Sequence, residues 1–179
     1  IFSKQTIDNF LYGMLNFNGI PIPQYLGGAH YTWQILNNHK VGGCFLQEIT
    51  EIIDRGDILR YQYFDLPKNV RVPEDYFVAN LTFGQDFLSK ILDDFRKGVQ
   101  FYRLSFDTLN TNRLYFPRLH TKYNAFINWN WSGLEIESFC NAFDQPYDGA
   151  GTFWHGSEVR FKGVIFRETK DAFHPYLFG

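Results

Sequence analysis

The sequence predicts an α/β chain, a main layer followed by a small β-containing region. Three features predict it: strand-like and helix-like patterns alternating through the first half, one long amphipathic stretch, and a closing hairpin pattern. Met14-Leu15-Asn16-Phe17 is a short apolar run that reads as a buried strand. A Pro- and Gly-rich loop follows, then a helix over 29–38 with Tyr31, Ile35 and Leu36 at helical spacing. Residues 41–49 read as a strand with Gly42-Gly43 near its start. Asp54-Arg55-Gly56-Asp57 forms a turn into a strand in which Ile58, Arg60 and Gln62 alternate with Leu59, Tyr61 and Tyr63.

Residues 73–98 make one helical stretch with a stripe of Leu81, Phe87, Leu88, Ile91, Leu92 and Phe95, and Gly98 is its stop. Residues 100–131 are irregular, polar and aromatic. A capped helix follows, with Ser132 as N-cap, Glu135 completing a capping box, and Leu134, Ile136, Phe139 and Phe143 in the apolar pattern. The tail reads as a hairpin turning at His155-Gly156. We place a boundary between a main layer over 1–121 and a smaller region over 122–179. The opening falls at an interior strand and the end directly after a hairpin, so both ends read as cut.

Composition narrows the function classes. With 45% apolar and 20% charged residues the 179-residue chain is an ordinary globular one. The 20 Phe, 11 Tyr and 4 Trp suit a heavy core or a stacking cleft, and are consistent with a buried dimer face. A net charge of -2 argues against a broad nucleic-acid footprint. Cys44 and Cys140 lack metal-ligand spacing and read as buried thiols of a reducing compartment. No apolar run approaches a membrane span, and no signal peptide opens the chain. The expectation is a soluble, cytoplasmic protein without membrane contact. The five histidines show no metal spacing, and no metal site is expected.

The informative region runs from Asn16 to Gly28, with Asp54-Arg55-Gly56 following. A strand delivers Asn16 and Asn18 into a Pro-stiffened loop, and a carboxylate stands at a later turn. In open α/β sheets ligands bind outside the carboxyl ends of strands, which puts Asn16, Asn18 and Asp54 where a site belongs. The same residues equally serve as ordinary turn formers, with Asp54 capping its own turn.

These motifs resemble those of the formyltetrahydrofolate-dependent formyltransferases. That family carries Asn-x-His at a strand end, then a Pro, an aromatic residue and a Gly, and later an Asp-x-Gly turn. Asn16, Pro23, Tyr25 and Gly27 fall in that frame, and Asp54 follows at the family's spacing. The segments VGGCFLQEITEIIDRGDIL, RLYFPRLHTKYNAFINWNW and ESFCNAFDQPYDGAGTF are similar to the family's catalytic turn and its passage into the C-terminal part. The resemblance implies a Rossmann-like formyltransferase layer, of which this chain holds the second part. It implies N10-formyltetrahydrofolate as formyl donor, with contacts from Thr50, Glu51, Ile53 and Asp54, and Asn16, Asn18 and Asp54 as catalytic residues. In the family the His shares the amine's proton, the Asn supports the oxyanion, and the Asp orients the His.

The chain departs from the pattern at Asn18, where the family has its His. An Asn makes hydrogen bonds but takes up no proton near neutral pH, so the resemblance implies binding with impaired turnover. The family's N-terminal stretch does not precede the motif here, which leaves an expected unpaired sheet edge and part of a folate pocket. The charge and the aromatic tail are more similar to the sugar-nucleotide branch, whose glycan-building enzymes formylate nucleotide-linked amino sugars. For that acceptor the candidates are His30, Tyr31, Trp33, Arg113, Lys122 and Trp129, with Trp131 and Arg118 beside them. His30, near Asn18 at a loop–helix junction, is also a candidate base. The other readings are a non-catalytic ligand-binding module and a methionyl-tRNA formyltransferase, the last disfavoured by charge.

Overall fold

The computed structural model describes residues 2–11, 13–22, 24–108 and 114–168. A short helix α1 (Lys4–Asp8) precedes β1 (Leu15–Asn18) and β2 (Tyr25–Gly27). Then come α2 (His30–Leu36), β3 (Val41–Glu48), β4 (Ile58–Asp65) and the long α3 (Pro73–Arg96). β5 (Leu114–Phe116), α4 (Thr121–Asn124), α5 (Gly133–Ala142) and the hairpin β6 (Ala150–Trp154) and β7 (Ser157–Phe161) complete it. The α/β class expected from the sequence is the one observed.

β1, β3 and β4 form an antiparallel sheet in that order, with Asn16 opposite Gln47 and Asn18 opposite Phe45. β1 has β3 as its one partner among the described residues, so it is half-buried at an edge where the sequence suggested a buried interior strand. β4 also departs from strict alternation: Tyr61, Gln62 and Tyr63 are exposed in succession. Beyond β3, β4 is met among the described residues only by a bridge from Ile58 to Leu104, and Tyr61 and Tyr63 cover Phe45 at ring distances of 5.7 and 5.5 Å.

α3 spans the residues expected, and Phe87 and Ile91 of the expected stripe are buried, but the rest of its buried face differs from it. Tyr76, Ala79, Asn80, Gly84, Phe87 and Ile91 face inward, while Leu81, Leu92 and Phe95 are exposed. Small residues set this phase. A Cβ at Gly84 would stand 2.8 Å from the Phe17 ring, so glycine lets the helix settle on β1. Asn80 Nδ2 donates to the Tyr76 carbonyl at 2.8 Å and Lys40 Nζ donates to Tyr76 Oη at 3.0 Å.

One apolar cluster joins Ile35, Leu46, Tyr76 and Phe87 to Phe139 and Cys140 of α5 and to Phe143 at its C-cap. Both thiols are free and buried. The Ser132–Glu135 capping box forms as expected, with Ser132 N donating to Glu135 Oε2 at 2.8 Å. Leu134 of the same pattern stays exposed. The hairpin turns at His155 and Gly156, both at positive φ, as a tight two-residue turn requires.

Candidate functional site

The loop between β3 and β4 carries the site. Gln47 Nε2, buried, donates to the Gly56 carbonyl at 2.9 Å, and Glu48 N donates to the Asp57 carbonyl at 2.9 Å. A Cβ on Gly56 would meet the Glu48 carbonyl oxygen at 1.9 Å, so this turn closes only with glycine there. The closure forces Asp54 into the left-handed region at φ 56. That conformation costs about 1–2 kcal/mol in a non-glycine residue, and Asp tolerates it better than most. Strained residues of this kind concentrate at functional sites.

Asp54 stands where two clefts meet. One is lined by Asn16, Gln47, Thr50, Ile52, Ile53 and Asp54. The other, of about 500 Å³, is lined by Gly27, Gly28, Ile53, Asp54, Arg55, Tyr115 and Arg118. Its wall depends on the parallel pairing of β2 with β5, where Gly27 lies opposite Phe116. Gly27 has φ 105, and a Cβ there would fall 2.1 Å from the Phe116 carbonyl oxygen. Tyr25 of the same strand is sandwiched between His39 and Phe116 at 5.2 and 4.9 Å.

Burial raises the Asp54 pKa, and the neighbouring His30 works against that rise. Burial likewise lowers the His30 pKa, opposed by the charge of Asp54. The His30 Nδ1 is buried without a hydrogen-bond partner among the described residues. An unpartnered buried polar atom costs about 1–3 kcal/mol.

The fold brings Asn16, Thr50, Ile53 and Asp54 into one cleft. Glu51 is exposed beside it and does not line it. Asn18 shares the strand face of Asn16 but lines neither cleft. Tyr31 packs against both apolar clusters, 6.2 Å from the Tyr76 ring, and burial pushes its hydroxyl up to about 12. Trp33 donates from Nε1 to the Pro117 carbonyl at 2.9 Å and packs on the Phe116 ring at the end of β5.

Lys122 is exposed over the Tyr123 ring. Trp129 bonds Thr152 Oγ1 at 2.9 Å and lines a separate apolar groove on the hairpin with Phe153, Trp154 and Phe161. Arg113 and Pro23 lie outside the described residues. Sequence reasoning passed over Arg55 and Tyr115 as site residues. Arg55 was findable, since it sits inside the Asp-Arg-Gly turn; Tyr115 depends on a pairing with no local signature. No group of three or more His, Cys, Asp or Glu that could hold a metal occurs among the described residues.

Residues 120–175 match the formyl transferase C-terminal domain. The chain is 27% identical over 151 residues to a methionyl-tRNA formyltransferase of Roseiflexus sp. strain RS-1, covering 83% of this chain and 44% of the relative. It spans about half the length of the curated relatives it matches. A methionyl-tRNA formyltransferase structure from Clostridium thermocellum is similar with TM-score 0.70 at 17% identity, over 93% of this chain and 68% of that one. The Helicobacter canadensis N-formyltransferase in complex with folinic acid and dTDP-3-aminofucose is similar with TM-score 0.59 at 22% identity, over 73% of this chain and 47% of its own. The architecture around Asp54 is therefore the formyltransferase fold, and residues 120–175 match that family's C-terminal domain.

Proposed function

We propose that this chain carries the reacting centre of an enzyme that moves a formyl group from N10-formyltetrahydrofolate to the amine of a nucleotide-linked amino sugar. The observation that carries this reading is the meeting of two clefts at Asp54, one for a donor and one for an acceptor. On the donor side Ile52 and Ile53 are 67% and 62% exposed, an apolar surface suited to a flat ring system, with Asn16 and Thr50 as polar partners. On the acceptor side Arg55, Arg118 and the Gly27-Gly28 backbone offer cations and amides for a diphosphate, and Tyr115 offers a ring.

The donor supplies the formyl group. As the amine attacks, negative charge grows on the formyl oxygen, and the Asn16 amide is the side-chain donor in that cleft to support it. Asp54 orients and electrostatically supports the group that takes the amine's proton. Asn18 takes no proton near neutral pH, and a missing general base lowers a rate by about 10²–10⁴.

Buried free thiols and the folate donor agree with a cytoplasmic enzyme. No described helix is long and apolar enough to cross a membrane. The methionyl-tRNA relatives favour a second acceptor, although a net charge of -2 gives little attraction for tRNA. Incubating the full-length protein with N10-formyltetrahydrofolate and either amino-sugar nucleotides or methionyl-tRNA, followed by mass spectrometry, separates them. A formylated sugar is expected. Formylated methionyl-tRNA would replace the acceptor, and binding of donor without any product would leave a non-catalytic module.

A further inference from the structure

We propose that Gln47 is a positioning residue of this site, fixing the turn that carries Asp54 against Asn16. The inference rests on the formyl-transfer reading above. Asn16 and Gln47 are register partners across β1 and β3, so their side chains project from the same face of the sheet. Two residues earlier on that face, Phe45 is buried among Ile20, Ile22 and Ile58. Gln47 is 1% exposed, lines the donor-side cleft, and donates from Nε2 to the Gly56 carbonyl at 2.9 Å. A single residue therefore stands beside Asn16 and holds the Asp54 turn.

The loop over 50–56 is bracketed by backbone bonds. Ile49 N donates to the Met14 carbonyl at 2.8 Å, and Ile58 exchanges two bonds of 2.9 Å with Leu104. Within the loop, the side-chain bonds of Thr50 to the Ile52 carbonyl and of Arg55 to Asp107 are exposed, whereas that of Gln47 is buried. A buried bond is electrostatically stronger than one competing with water. The neighbouring strand is offset at the same point: Leu46 lies opposite Arg60 but Gln47 opposite Ile58, which leaves Leu59 over in a bulge. Bulges beside active sites re-aim the side chains around them. An apolar residue at 47 would fill the space but leave the Gly56 carbonyl without this donor, and the left-handed Asp54 without its anchor.

In the transfer, Asn16 supports the formyl oxygen and Asp54 supports the group that takes the amine's proton. The rate then depends on how these two side chains are placed relative to each other, and a misplacement of about 1 Å costs about 10²-fold. Gln47 itself moves no proton.

The test uses the full-length protein, native and with Asn18→His. In both, Gln47→Met is expected to lower kcat about 10²-fold while a non-reactive 5-formyl folate still binds. Backbone NMR of Gln47→Met is expected to show the amides of Asp54 and Gly56 displaced and those of α5 in place. Gln47→Glu supplies a readout that a packing role would not move. A protonated carboxyl can donate to the Gly56 carbonyl and a carboxylate cannot. Burial near Glu48, Asp54 and Asp57 raises the pKa of a carboxyl at 47, with Arg55 and the Arg103 that pairs with Glu48 opposing the rise. Transfer by Gln47→Glu, relative to the protein with Gln47 at the same pH, is therefore expected to rise as pH falls. An unchanged kcat in Gln47→Met, or a Gln47→Glu rate in constant ratio across pH, overturns the proposal and leaves formyl transfer standing. No product from the native protein or from Asn18→His removes the formyl-transfer reading itself, and the proposal with it.

Discussion

The segment around Asp54 and the region from α5 through the hairpin are built on opposite terms. Among the described residues, the buried side-chain polar atoms without partners lie on His30, Gln34, His39 and Asn80, all before residue 81, and two of the residues at positive φ are Ala29 and Asp54. Past residue 120 no buried side-chain polar atom among the described residues lacks a partner. Arg160 Nη1 donates to the carbonyls of Thr121 and Gly149, and Asp144 accepts from Gly163 N at 2.6 Å. The difference separates a part that leaves some buried polar atoms unpaired from a part whose buried polar groups hold the fold.

Asp54→Asn should sharpen the contrast most. Turnover is expected to fall by about 10²–10⁴. Thermal stability should hold or rise, because burial disfavours the charged carboxylate that the folded state carries above its raised pKa. Melting curves beside rate measurements check both halves.

Arg160→Ala should do the reverse. It leaves two carbonyls without their charged donor, removes the partner of Glu158 and uncovers the Phe126 ring. A loss of about 2 kcal/mol in denaturant unfolding is expected, with turnover at low temperature unaffected.

The smallest effect is in the acid limb of stability. Burial holds His30 and His39 below the ordinary value of 6.5. A base with a lowered folded pKa contributes fully above its unfolded value, and that contribution is lost as pH falls through the window down to the folded value. His30→Gln should therefore flatten the decline in melting temperature below pH 6.5 without abolishing it, since His39 remains.

Local chemistry was legible in the sequence. The Ser132–Glu135 cap and the His155-Gly156 turn are specified by neighbours a few residues away, and both form. The extent of α3 was legible, and so were Phe87 and Ile91 of its inner face, but Ala79 and Gly84 were not, because they take inner positions by size and not by apolar character. In the site, the resemblance singled out Asn16 and Asp54, which are distant in sequence and share a cleft. The aromatic candidates diverged from this: Tyr31 and Trp33 are spent on packing and on holding β5. Tyr115 gains its place only through the β2–β5 pairing, a long-range contact that no local pattern encodes, whereas Arg55 sits within the Asp-Arg-Gly turn itself.

Backbone NMR of the full-length protein tests whether the two clefts that meet at Asp54 take a formyl donor on one side and an acceptor on the other. A 5-formyl folate should move the amides of Asn16, Gln47 and Thr50, a nucleoside diphosphate those of Gly28, Arg55 and Arg118, and both should move Ile53 and Asp54. Shifts from either ligand confined to the hairpin groove around Trp129 and Phe153, with Asp54 unmoved, would contradict it.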